Sequence, residues 1–273
     1  MTKAITKNYI KYYKGNTPII LSAPHGGNAR PTDIKTRTTG VFDKDDYTYE
    51  LTQLIVEEFY KQTSLTPYAV IAEISREKVD LNRKRSEAFE DERASLIYNQ
   101  FHNFIENSKI EIEENFGKGL YIDIHGQSHP RAYLEFGYLL DNDILRQHDG
   151  ALKEHCKDSS ISSLSKFSKE CFIDQLKGPH SMGSLMCNQG YDSIPSIKLP
   201  YASDENYFEG AYNTRTHGSL NGGNIVGIQI EFPYKDVRDT HKNRQKCAKA
   251  FVESLITFKE VHFDFDFDLR KIS

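Results

Sequence analysis

The feature that most constrains this chain is a form that occurs twice: an apolar, strand-like run that closes on a histidine followed by glycine. The runs are Pro18-Ile19-Ile20-Leu21-Ser22-Ala23-Pro24-His25-Gly26-Gly27 and Gly119-Leu120-Tyr121-Ile122-Asp123-Ile124-His125-Gly126-Gln127. An imidazole on the C-terminal tip of a buried strand faces the crevice where open α/β sheets bind ligands, and the glycine after it lets backbone approach closely. A third run, Val226-Gly227-Ile228-Gln229-Ile230-Glu231, ends on a carboxylate. Two neutral nitrogen ligands and a nearby Glu are the usual ingredients of a hydrolytic zinc centre, in which the metal lowers the pKa of bound water and the Glu takes its proton.

The 273 residues fit one large α/β domain, 1–273, better than two small ones, and 38% hydrophobic content with 12% aromatics is enough for a core. A net charge of −4 gives no broad attraction to phosphate backbones, so nucleic acid is excluded as an expected partner. Cys156, Cys171, Cys187 and Cys247 are scattered, without a C-x-x-C pair, and read as reduced. No stretch approaches the roughly 18 apolar residues of a membrane helix, which makes a cytoplasmic location the default and no membrane partner the expectation. The oligomeric state is not legible.

Along the chain, Asn28 to Gly40 is a polar, basic loop long enough to be functional. Leu51, Leu54, Ile55 and Phe59 follow helical spacing, which places Asp45 at or near a helix N-terminus. Residues 67–74 form the next strand, so that strand, helix and strand make a parallel crossover. A helix is expected over Glu87–Asn107, strands over 120–125 and 133–140, and a helix near Phe167–Leu176 in an otherwise poorly readable Ser-rich stretch, 150–190. Residues 193–223 read as a long ordered loop over a site, Thr240–Lys259 as an amphipathic helix, and the alternating tail 261–269 as an edge strand.

Each site residue has a plain reading beside the functional one. Asp45 or Asp46 would serve equally as an N-cap. Asp123, two residues before His125 on the same strand face, either orients that imidazole or joins it on a metal. Arg76, Asn82 and Arg83 lie in a charged stretch that solvent alone could explain, yet a guanidinium fork beside an amide suits bidentate carboxylate recognition. Glu231 ends a buried run and needs a cation, a structural partner or a role. Tyr212, Arg215 and His217 line a pocket or pin a loop. The signatures of serine hydrolases, P-loop enzymes and dinucleotide-binding oxidoreductases are absent, as is H-E-x-x-H.

Read in order, Ser22-Ala23-Pro24-His25-Gly26-Gly27, Ser75-Arg76 with Asp80-Leu81-Asn82-Arg83, Asp123-Ile124-His125-Gly126, Phe208-Glu209-Gly210-Ala211-Tyr212 and Gln229-Ile230-Glu231 resemble the N-formylglutamate amidohydrolase family over about residues 18–235. That family is similar in fold to zinc carboxypeptidases and aspartoacylase. The resemblance implies a single-domain α/β fold, with a mixed, mostly parallel sheet between helices on both faces and one zinc ion. It implies His25 and His125 as metal ligands and Glu231 as general base. Arg76 would polarise the scissile carbonyl, Asn82 and Arg83 would hold a substrate carboxylate, and Tyr212 and Arg215 are further candidates for binding substrate. Carboxypeptidase-like relatives take a third ligand three residues after the first histidine, where this chain has Asn28, so the family's Asp before the first long helix, Asp45, is assigned instead. The expected activity is zinc-dependent hydrolysis of the amide bond in a small N-acyl amino acid, N-formyl included, or a short peptide. The alternatives are a non-catalytic metal- or ligand-binding homologue and a metal-dependent phosphoesterase using Asp123 and His125.

Overall fold

The computed structural model describes residues 8–203 and 206–264. Within these described residues, seven strands form one sheet: β1 (Ile10–Tyr13), β2 (Ile19–Ala23), β3 (Tyr68–Ala72), β4 (Gly119–Gln127), β5 (Leu134–Gly137), β6 (Ser193–Ile194) and β7 (Ile225–Pro233), in the order β1-β3-β2-β4-β7-β5-β6. The central four, β3, β2, β4 and β7, run parallel, whereas β1 joins β3 and β5 joins β7 antiparallel, and β6 continues parallel to β5. The expected mixed, mostly parallel sheet with helices on both faces is therefore the fold found.

Among the described residues, nine α-helical segments surround it: α1 (Thr48–Thr63), α2 (Arg85–Ala88), α3 (Ser95–Phe116), α4 (Asn142–Leu145), α5 (Asp149–Leu152), α6 (Phe172–Lys177), α7 (Met182–Asn188), α8 (Tyr212–His217) and α9 (His241–Phe263). On one sheet face Ile19, Leu21, Leu120, Ile122, Ile124, Ile228 and Ile230 pack against α1 and α9 through residues such as Leu51, Ile55, Phe59, Phe251 and Leu255. The other face, from Ile20, Tyr68, Val70 and Tyr121, packs on α3 through Ile97, Tyr98, Phe101, Ile105 and Ile112. Alternation along β4 turns Tyr121, Asp123 and His125 to this second face, so the face that is apolar at its lower end becomes polar towards the strand tips.

Several boundaries differ from expectation for physical reasons. The helix expected over 87–107 is broken: α2 ends at Ala88, Asp91 caps a 3-10 turn through the Arg93 N–H, and α3 runs on to Phe116, where Gly117 closes it at φ 71°. The stretch 150–190 is a set of short helical turns, with α6 starting at Phe172, not Phe167. The tail 261–264 is not an edge strand: α9, capped by Thr240, continues to Phe263, because His262 and Phe263 are both buried at its end. Residues 265–269 of that expected strand lie outside the described residues. No helix among the described residues is long and apolar enough to cross a membrane. All four cysteines are free.

Candidate metal centre

The parallel strands deliver three chemical groups to their C-terminal ends. His25 follows β2, His125 stands on β4, and Glu231 stands on β7 in direct register with His125. Asp45 comes from the turn before α1. The left-handed Tyr47 and the Thr48 hydroxyl, which donates to the Asp45 carbonyl at 2.8 Å, leave its carboxylate free of any capping duty. That carboxylate instead reaches the site, where Oδ2 accepts from the Gly126 N–H at 3.1 Å.

Both imidazoles are oriented in the same way. His25 Nε2 lies 2.7 Å from Asp80 Oδ1, and His125 Nε2 lies 2.9 Å from Asp123 Oδ2. A carboxylate at Nε2 takes the Nε2–H, which fixes the neutral ring in the tautomer whose lone pair is on Nδ1. The two Nδ1 atoms then converge on one oxygen: Asp45 Oδ2 is 3.0 Å from that of His125 and 3.6 Å from that of His25. His25 Nδ1 is buried without a hydrogen-bond partner. Lone pairs from two imidazoles and a carboxylate facing one point repel one another unless a cation or protons occupy the space between them. The three donors lie within 4.8 Å of one another, against about 3.4 Å for the edge of a tetrahedral zinc site with bonds near 2.1 Å, so the residues fit a zinc ion after a small contraction.

Electrostatics supports the same arrangement. Asp45, Asp80 and Asp123 are all held below the usual carboxylate range. Burial pushes each upward, but the imidazoles outweigh it, joined at Asp80 by Arg76. His125 is raised well above the usual imidazole value: burial opposes its charge, while Asp123, then Asp45 and Glu231, favour it. Glu231, 5% exposed, is pushed up to about 8, first by burial and further by Asp45 and Glu135, against the pull of His125 and Arg238.

Arg76 donates Nε to Asp80 Oδ2 at 3.0 Å and Nη1 to the Asp43 carbonyl at 3.2 Å, which brings Nη1 to 3.9 Å from Asp45. Asn82 is drawn in beside His125, its Nδ2 3.1 Å from Nε2, while its Oδ1 accepts from the Asn213 N–H at 2.8 Å. Arg83 is half-buried next to it, and Tyr212 has its hydroxyl 3.2 Å from that of Tyr98. Arg215 is exposed on α8, with no hydrogen bond or ion pair to the cluster among the described residues. Asn28 is also exposed and accepts from Lys44 at 2.7 Å. Asp46 pairs with the same lysine at 2.8 Å, and Glu73 accepts from Tyr49, so neither acid competes with Asp45.

Sequence reasoning did not assign a role to Asp80, although it lies within the quoted Asp80-Leu81-Asn82-Arg83. It also passed over Arg238, whose buried guanidinium donates to the carbonyls of Phe232 and Gln127 at 2.9 Å each and to that of Asp46. A Cβ on Gly126 would overlap this guanidinium, which is the close approach that required glycine there.

Neither a family model nor a curated protein matches the sequence. Among solved structures, the N-formylglutamate amidohydrolase from Ralstonia eutropha JMP134 superposes over 95% of this chain and 100% of its own, with 11% identity and a TM-score of 0.58. The gene product Atu2144 from Agrobacterium tumefaciens matches over 93% and 97%, with 15% identity and a TM-score of 0.53. At these identities the likeness is one of architecture: this chain has the fold of the Ralstonia eutropha N-formylglutamate amidohydrolase.

Proposed function

We propose that this protein is a zinc-dependent hydrolase of the amide bond in a small N-acyl amino acid, N-formyl included, or a short peptide. The observation that carries the reading is the pair of imidazoles fixed through Nε2 by Asp80 and Asp123, with both Nδ1 atoms turned to Asp45 and Glu231 beside them. His25, Asp45 and His125 would hold the ion, which supplies Lewis acidity and lowers the pKa of bound water. Glu231 is the base: a buried carboxylate displaced towards neutral pH accepts a proton from the attacking water more readily than an exposed one. Arg76, with Nη1 3.9 Å from Asp45, would stabilise the developing oxyanion, and the half-buried Arg83 beside Asn82, together with Tyr212, would bind a substrate carboxylate. Arg215 is the weakest member of this set, because its exposure lets it reach only a substrate that extends over α8.

A missing third donor at Asn28 would favour the non-catalytic alternative, and the Asp45 carboxylate, 3.0 Å from His125 Nδ1, is available in its place. The phosphoesterase alternative needs Asp123 on the metal, whereas its carboxylate is engaged with His125 Nε2 and Ser22. The test is elemental analysis of the purified protein together with a hydrolysis panel of N-formyl and N-acetyl amino acids and dipeptides. One zinc per chain and turnover of at least one amide are expected. A protein that binds zinc but cleaves none of them, or that cleaves a generic phosphoester instead, would overturn the proposal.

A further inference from the structure

The loop that leaves β4 crosses the end of β7 to reach β5, and it carries a second histidine in doing so. His129 donates its backbone N–H to Gln127 Oε1 at 2.5 Å, and its Nδ1 lies 2.7 Å from Glu135 Oε1 on β5. Glu135 is 1% exposed, and its other oxygen accepts from the Phe208 N–H at 2.9 Å. The Phe208 ring stacks on the imidazole, with centroids 5.0 Å apart and planes 15° apart. One edge and one face of His129 are thus fixed, while Nε2 has no protein hydrogen bond among the described residues and the side chain is 22% exposed.

The register gives this dyad its meaning. His125 and Glu231 are partners across β4 and β7, and Glu135 and Glu231 are partners across β7 and β5. Partners in register put their side chains on the same sheet face, with Cα atoms about 4.5–5.5 Å apart. The three therefore form a row, and Glu231 stands between the metal ligand His125 on one side and the Glu135–His129 pair on the other. A carboxylate at Nδ1 fixes the ring with Nε2 turned away from Glu135, so that the doubly protonated ring presents an Nε2–H outward.

We propose that His129 is a further catalytic residue, the proton donor to the departing nitrogen, held in place by Glu135. This rests on the amide-hydrolase reading. Glu231 Oε takes a proton from water as its oxygen adds to the carbonyl carbon. As the C–N bond breaks, its electron pair stays on nitrogen, and that nitrogen takes the proton from His129 Nε2. The carbonyl carbon leaves as the carboxylic acid, which ionises. His129 regains its proton from solvent through its exposed edge, and Glu231 releases its own to solvent.

The experiment compares wild type with His129→Gln on two kinds of substrate: the amide cleaved best in the panel above, and the p-nitrophenyl ester of the same acyl group, whose leaving group needs no proton. Loss of a general acid predicts a fall in kcat/KM on the amide of about 10²-fold or more, with the ester within threefold of wild type. Zinc affinity, measured by chelator competition, should stay within threefold. In wild type the His129 Nδ1 proton should give a downfield NMR resonance in the zinc-free protein, absent from His129→Gln and shifted upfield in Glu135→Gln. Equal losses on amide and ester, no loss on either, or a lost zinc site would each overturn the assignment while leaving the hydrolase reading intact. If wild type cleaves no amide, both fall together.

Discussion

Changing Asp80 to Asn alters one atom in a site where two cationic or polar donors depend on the same carboxylate. Asp80 is fully buried; Oδ1 receives His25 Nε2 at 2.7 Å and Oδ2 receives Arg76 Nε at 3.0 Å. An asparagine has one oxygen, so it can accept from only one of these donors, and its NH2 group must then face the other. If the oxygen stays with His25, Arg76 loses a charge-assisted bond while still 9% exposed, at a cost of about 1.5–3 kcal/mol in stability. If it turns to Arg76, His25 loses the group that fixes its tautomer. Removing an outer carboxylate of this kind weakens metal binding by about 10–100-fold, or about 1.4–2.7 kcal/mol. Zinc affinity would be read by competition with a chromophoric chelator, and stability of the zinc-free protein by urea unfolding. Asp143→Asn, in a side chain 93% exposed, removes the same charge and serves as control. A folded Asp80→Asn protein with zinc affinity within threefold of the control would refute the idea that Asp80 presents His25 to a metal.

Glu231→Gln should lower amide turnover by at least about 10³-fold with zinc content unchanged, since it removes the proposed base and none of the proposed ligands; activity near wild type would reassign the base. Because the Glu231 carboxyl is raised to about 8, the folded zinc-free protein binds a proton that the unfolded chain has released, and Glu231 weakens folding as pH climbs from about 4.5 to 8. The same variant should therefore be more stable than wild type at pH 9 and similar to it at pH 4, by urea midpoints. His125, raised by Asp123, Asp45 and Glu231 against the effect of burial, carries a proton that zinc must displace. Zinc affinity should rise with pH by up to tenfold per unit between pH 6 and 8, with proton release visible by calorimetry in two buffers. The contribution of His125 to zinc-free stability has the opposite trend, being present below the ordinary imidazole value and lost as pH rises through the raised one. Finally, Phe251→Ala, at a fully buried position against Phe232, should cost about 3–5 kcal/mol in urea unfolding.

The apolar runs that became β2, β4 and β7 were legible because burial on both faces leaves little but hydrophobic residues until the chain reaches the site. The histidines and Glu231 were conspicuous as interruptions of that pattern. Strand β1 left no such trace: Ile10-Lys11-Tyr12-Tyr13 is an edge strand buried chiefly at Ile10. The alternation at 261–263 misled because apolar Val261 and Phe263 stand two apart as they would in a strand, whereas His262 between them is also buried, as the end of a helix allows. Asp45 could not be separated from its acidic neighbours by spacing, since what selects it is the backbone of Tyr47 and Thr48 and the Gly126 N–H, all contacts across the fold. Asp80 and the His129–Glu135 pair escaped for a related reason. Their partners lie 55 and 6 residues away, and in the second case the loop from β4 to β5 has to fold back for the two side chains to meet.

Arg238 links the carbonyls of Asp46, Gln127 and Phe232, each one or two residues from a member of the site: Asp45, His125 and Glu231. The backbone under two of the candidate metal donors and under Glu231 is thereby tied together by a group that is not one of those donors. A metal ion captured there would meet a backbone frame already tied together, so the contraction that brings the donors onto it would fall to the side chains and little ordering of the chain would oppose it.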